Sequence, residues 1–142
     1  MRAIDGGAVI GEACALWAQG KLKKLLSLFL EDAVFAVPSC PQAASFVGDG
    51  LGRALLGQRL EMLLEEVEVL AFDPISLSTD GIWHYNRVRY RYRHHASRLM
   101  IGGTMRQRFG LLGNRIAHFE LFHDTRRMRA FYDFAAHAAC DA

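Results

Sequence analysis

The chain has 142 residues, a net charge of +2, and is 51% hydrophobic and 23% charged. These values fit one globular domain over residues 1–142 and exclude a disordered, collagen-like or coiled-coil chain. No apolar run approaches the ~20 residues that cross a bilayer, and Asp5 and Glu12 interrupt the segment where a secretion signal would sit, so a cytoplasmic location is expected. Cys14, Cys40 and Cys140 are odd in number and lack CxxC spacing, which points to reduced thiols rather than a disulfide framework or a zinc site.

The first half reads as helical. Ile10, Ala13, Cys14 and Trp17 recur at helical spacing, with Gly20 as a stop. Leu22, Leu25, Leu26 and Phe29 repeat the pattern, leaving Lys21, Lys23 and Lys24 to solvent. Residues 33–37 are a short apolar run closed by Pro38, a short strand, and residues 38–50 read as a loop. From Gly52 to Val67 a stripe of Leu56, Leu60, Leu63 and Leu64 marks a third amphipathic helix.

The second half changes to a period of two. Strands are predicted over 68–78, 82–94, 98–111 and 115–123, with Asp80-Gly81 and Gly113-Asn114 as turns. Short turns between successive strands imply an antiparallel sheet. Asp124-Thr125 then caps a last, short helix in which Met128, Phe131 and Ala135 share one side. Three helices, a sheet and a closing helix make an α+β layout, in which a curved sheet wraps around helices and leaves a space for side chains or a ligand.

Strand 82–94 decides which face of that sheet is buried. Val88, Tyr90 and Tyr92 share one face; Arg87, Arg89, Arg91 and Arg93 share the other. Burying four unpaired guanidiniums is prohibitive, so the tyrosine face meets the helices. By the same alternation Ile101, Met105, Gln107 and Phe109 face inward with Phe119, Leu121 and His123, while Arg106, Arg108, His118 and Glu120 face outward. The charge follows the same division along the chain. Residues 1–81 hold six Lys/Arg against eleven Asp/Glu, and residues 82–142 hold eleven Arg against four Asp/Glu. Such asymmetry marks an anionic partner or two halves that attract each other.

Two stretches resemble the nuclear transport factor 2-like superfamily, the fold of SnoaL and the ketosteroid isomerases. One runs from Ala15-Leu16-Trp17 to Glu31-Asp32-Ala33-Val34-Phe35; the other runs from Gly113-Asn114-Arg115-Ile116 to Phe122-His123-Asp124-Thr125. With the order of elements between them, the resemblance spans roughly residues 8–137. It implies a cone-shaped sheet wrapped around three N-terminal helices, an apolar cavity and a homodimer. It does not supply the family's chemistry. The catalytic Asp of the ketosteroid isomerases corresponds to Val37, and their oxyanion-binding Tyr to Ala13. The acid of the cyclases and epoxide hydrolases corresponds to Leu121.

A small hydrophobic ligand is therefore expected in a cavity lined by Trp17, Phe35, Val37, Tyr90, Tyr92, Gln107 and His123. His123 is the candidate general base, for isomerisation, dehydration or cyclisation without a cofactor; its alternative role is that of a partly exposed strand-end histidine beside Asp124. Tyr90, Tyr92 and Gln107 either meet the ligand or pair within the core. The competing function is a non-catalytic ligand carrier or dimeric interaction module. Nucleic acid is not expected, because a strand puts the arginines and the Tyr90 and Tyr92 rings on opposite faces. No metal site is expected from the adjacent His94 and His95. No phosphate loop is expected from Gly48-Asp49-Gly50-Leu51-Gly52, which lacks the Lys-Ser/Thr ending.

Overall fold

The computed structural model describes residues 6–37 and 48–140. The elements are α1 (Gly6–Ala18), α2 (Leu22–Leu26), β1 (Phe29–Ala36), β2 (Gly50–Leu51), α3 (Arg53–Glu66), β3 (Val67–Asp80), β4 (Trp83–His94), β5 (Met100–Leu112), β6 (Arg115–Phe122) and α4 (Thr125–Cys140). The six strands form one curved, unclosed sheet in the order β2-β1-β6-β5-β4-β3. This is the α+β architecture the periodicity predicts.

The four strands from β3 to β6 follow one another as antiparallel neighbours. Two of their turns are two-residue loops, between Asp80 and Trp83 and between Leu112 and Arg115. Each loop begins with a glycine at positive φ, Gly81 at 65° and Gly113 at 63°, the conformation that matches the twist of a tight hairpin. Bulges interrupt the pairing of β3 with β4 near Ala71 and Ile75 and bend the strand. Pro74 is tolerated there because β3 is an edge strand.

Three features depart from the sequence reading. The sheet is mixed, because β1 pairs with β6 in parallel; β1 is not joined to β6 by a hairpin, so the short-turn argument does not govern it. β1 also starts at Phe29, not at 33, and α2 ends at Leu26. The cause is Ile116, whose N–H donates to the Leu28 carbonyl at 2.8 Å and draws this apolar stretch into the sheet. Finally, α4 is not short; with 16 residues it is the longest helix among the described residues. The loop expected at 38–50 lies up to residue 47 outside the described residues, as does Cys40.

The core sits between the concave face and the helices. Ile10, Leu56, Val67, Val88 and Ile116 are wholly buried there. No helix among the described residues is long and apolar enough to cross a membrane. Ile116 joins the β1–β6 seam to this core. Ile116→Ala is expected to cost about 2–5 kcal/mol of unfolding free energy. Leu112→Ala, on an exposed side chain of the neighbouring turn, is expected to change it by less than about 0.5 kcal/mol. Urea denaturation of both variants checks the contrast.

Candidate functional site

Between the concave face and the helices lies a cavity of about 80 Å³. α1 contributes Ala13, Cys14 and Trp17, three residues on one side of the helix, and α3 contributes Leu56, Leu60 and Leu63. The sheet contributes Tyr92 from β4, Met105, Gln107 and Phe109 from β5, and Phe119 and Leu121 from β6. Met128 and Tyr132 close it from α4. An apolar cavity of ~150 Å³ accepts benzene, so a ring of comparable size enters this one only as adaptable walls such as Met105 and Met128 give way.

Five of the seven expected residues line the cavity: Trp17, Val37, Tyr92, Gln107 and His123. Phe35 and Tyr90 are buried but stand outside it. The Phe35 ring lies over Gly50 and under Arg59, whose guanidinium is 5.8 Å from the ring centre, so β2 and α3 occupy it. The Tyr90 ring packs on Tyr92 at 5.1 Å and its hydroxyl meets the Met128 sulfur at 4.0 Å. Strand alternation assigns a face; it does not say whether the ring on that face meets a helix or a void.

The wall carries a few polar groups, all near α1 or β6. The Trp17 indole N–H donates to the Tyr92 hydroxyl at 3.2 Å. Asn86 donates from Nδ2 to Gln107 Oε1 at 2.9 Å, and both approach Cys14. Burial pushes the Cys14 thiol up to about 11, against the lowering effect of the Asn86 hydrogen bond. Burial also raises the Tyr92 hydroxyl. His123 follows β6 and is held below its ordinary value by burial, with Asp124 opposing the shift. At neutral pH the cavity wall is therefore uncharged. Among the described residues no three His, Cys, Asp or Glu side chains gather where they could hold a metal ion.

The sequence reading missed three contributors. Asn86 sits two positions before Val88 on the same inward face, so strand parity alone could have found it. Cys14 belongs to the helical stripe of α1, and periodicity gives it no polar role. On α4, Tyr132 rather than Phe131 meets the cavity; it is four positions after Met128, one turn along the same side.

The convex face carries Arg87, Arg89, Arg91, Arg106 and Arg108, but it is not purely basic. Trp83, Tyr85 and Phe122 share it. Trp83 stacks under the Arg108 guanidinium at 4.3 Å and meets the His118 ring edge-on at 5.3 Å. Arg108 and His118 each donate to Glu120 Oε1, at 2.6 and 2.7 Å. Burial opposes the Glu120 charge, but these two donors hold the carboxyl below its usual range. His123 lies at the rim between the two faces: it also borders an outer groove with Arg87, Arg106, Phe122 and Asp124.

A curved sheet folded around helices, with an apolar cavity between them, defines this chain as a protein of the nuclear transport factor 2-like fold. No family model matches the chain, and no curated protein matches it in sequence. Solved structures do match in shape. A nuclear transport factor 2-like protein of unknown function from Burkholderia pseudomallei is similar at 13% identity and a TM-score of 0.76, over 87% of this chain and 93% of that one. A second such protein, from Burkholderia xenovorans, is similar at 18% identity and a TM-score of 0.71, over 89% and 94%. A protein with a ketosteroid isomerase-like fold from Catenulispora acidiphila, solved with trimethylamine, is similar at 14% identity and a TM-score of 0.69, over 82% and 85%.

The lowered pKa of His123 has a consequence for stability. As pH falls below the ordinary histidine value of 6.5, the unfolded chain takes up a proton that the folded chain resists. Stability is then lost progressively toward the folded-state pKa. His123→Leu is expected to flatten that part of the profile and leave stability above pH 7.5 with no comparable pH trend. Unfolding midpoints of both proteins between pH 5 and 8 check it.

Proposed function

We propose that this protein binds a small, neutral, hydrophobic molecule in the cavity between α1, α3, α4 and the sheet. The supporting observation is the cavity wall itself: apolar almost throughout, uncharged at neutral pH, and free of carboxylates among the described residues. Ala13, Val37 and Leu121 all stand on that wall. These are the positions at which the resemblance would put a phenol and two acids, so the cavity keeps its place while the proton-handling groups are replaced by methyl and methylene surface. This favours binding without turnover.

A saturating small hydrocarbon stabilises a native state that binds it. Cyclopentane is expected to raise the melting temperature in a saturable manner. Ala13→Leu, which grows into the cavity from α1, is expected to raise the ligand-free melting temperature and to remove the cyclopentane shift. No shift in the parent protein, or an equal shift in the variant, contradicts the reading.

A second reading is an acid–base enzyme acting on the same ligand, and His123 favours it. It is the one cavity-lining group, among the described residues, whose ordinary pKa lies near neutrality, and it is neutral and so able to accept a proton. Turnover that falls at least a hundredfold in His123→Ala supports this reading over simple binding.

The proposal includes a second copy of the chain on the convex face. Tyr85 and Phe122 leave 41% and 53% of their surface exposed there, amid arginines whose planes stack as well as repel. Sedimentation velocity is expected to show a dimer that Phe122→Glu dissociates; monomer alone at 100 µM rejects the proposed dimer.

A further inference from the structure

Asn86 and Gln107 face each other across β4 and β5. Both point inward, with 2% and 6% of their surface exposed. Buried amides must find partners, and here they do so in one arrangement. The two protons of Asn86 Nδ2 go to Gln107 Oε1 at 2.9 Å and to Cys14 Sγ at 3.5 Å. The Cys14 thiol donates in turn to Gln107 Oε1 at 3.8 Å. An amide oxygen has two acceptor sites, and both of Gln107's are taken.

This ring sets the direction of the Gln107 amide. Turning both amides over would place the Asn86 nitrogen where its Oδ1 now lies, a buried position with no partner among the described residues. An orphaned N–H pair is rarer and costlier than one under-satisfied carbonyl. Gln107 therefore keeps its oxygen toward Asn86 and its Nε2 away from it. Gln107 and Cys14 line the cavity, while Asn86 stands behind them. Both side-chain hydrogen bonds that Gln107 makes among the described residues fall on its Oε1. The Tyr92 hydroxyl accepts from Trp17 and keeps its O–H as a donor. On this part of the cavity wall the Gln107 oxygen is occupied, while the Gln107 amide N–H groups and the Tyr92 O–H remain as donors.

Resting on the binding reading above, we infer that Gln107 Nε2 is a preset hydrogen-bond donor to the ligand, that Asn86 is its positioning residue, and that the ligand is a small neutral carbonyl compound. A site built around a buried donor discriminates against an analogue lacking the acceptor, because the donor is then left without a partner. A hydrocarbon fills the space and leaves that donor unsatisfied. A ketone of the same shape does both.

Cyclopentane and cyclopentanone separate the two claims. In the parent protein the infrared carbonyl band of bound cyclopentanone is expected at lower frequency than in hexane. Gln107→Met is expected to return the band to its hexane position and to weaken cyclopentanone about tenfold, one hydrogen bond's worth. With cyclopentane affinity read by NMR titration as the reference, the ratio of ketone to cyclopentane affinity is expected to fall about tenfold in this variant. Asn86→Leu is expected to lower the ratio of ketone to cyclopentane affinity in the same direction, with Gln107 still present. An unshifted band in the parent protein overturns the inference without need of any variant. So does a shift that survives Gln107→Met and vanishes in Tyr92→Phe or His123→Leu. Binding of cyclopentane with no preference for the ketone removes this inference alone; binding of neither molecule removes the cavity reading with it.

Discussion

The structure depends on one constraint in β4. Guanidiniums cannot be buried unpaired, so Arg87, Arg89 and Arg91 must look outward, and strand geometry then turns Asn86, Val88, Tyr90 and Tyr92 inward. Nothing in the strand's backbone prefers one face; the charges make the choice. Once it is made, register carries it across the sheet. Tyr92 lies opposite Ile101, Val88 opposite Met105 and Asn86 opposite Gln107, so β5 is oriented by β4. β6 follows from β5, with Phe119 opposite Phe109 and Leu121 opposite Gln107. The helices meet the face so defined. α1 is fastened to it twice within one turn, by Trp17 on Tyr92 and by Cys14 on the Asn86–Gln107 pair.

Those two fastenings explain why an apolar core contains polar groups. Replacing them by hydrocarbon would keep the burial but remove the direction, since apolar contacts allow a helix to slide or rotate at little cost. A hydrogen bond at each end of the Cys14–Trp17 turn fixes both. All the groups involved are neutral, which avoids the cost of a buried charge. The same choice leaves a cavity without electrostatic attraction for ions and with a limited set of oriented dipoles. In the proposed binding, recognition would rest on shape and on single hydrogen bonds.

Periodicity made most of this legible. The change from a 3.6-residue to a two-residue repeat placed α1, α3 and β3 to β6 within a few residues, because those elements each bury one face. It failed where an element is decided by a distant partner. Nothing local to Phe29 announces that Ile116 will draw it into a strand, and the parallel pairing of β1 with β6 has no turn signal to betray it. The cavity was legible as a face but not as a volume. Phe35 and Tyr90 have the correct parity and are buried, yet their rings are consumed by Arg59 and Gly50 in one case and by Tyr92 and Met128 in the other. Asn86 was hidden by its neighbours, since an argument about arginines and tyrosines passes over the amide between them.

The charge asymmetry between the halves of the chain resolves in the same geometry. The arginines occupy β4 and β5, in the middle of the sheet, and acids stand on the strands beside them. Glu68 on β3 reaches Arg93 at 3.8 Å, Asp73 is the cross-strand partner of Arg89, and Glu120 on β6 holds Arg108. Glu68 and Asp73 thus bring acids of the first half beside arginines of the second, while Glu120 holds Arg108 from within the same half. Arg87, Arg91 and Arg106 have no acid as cross-strand partner, and at the centre Arg87 and Arg106 directly face each other. Like charges directly opposed destabilise a sheet. Phe122 is the cross-strand partner of Arg106 on the other side, exposed where a side chain of that type gains most by being covered. The proposed second copy would have to bring apolar area to Phe122 and either a carboxylate or a stacking plane to the guanidiniums. A second copy offers Tyr85, Trp83 and its own guanidinium planes for this purpose, and this keeps the convex face open to self-association despite its sign.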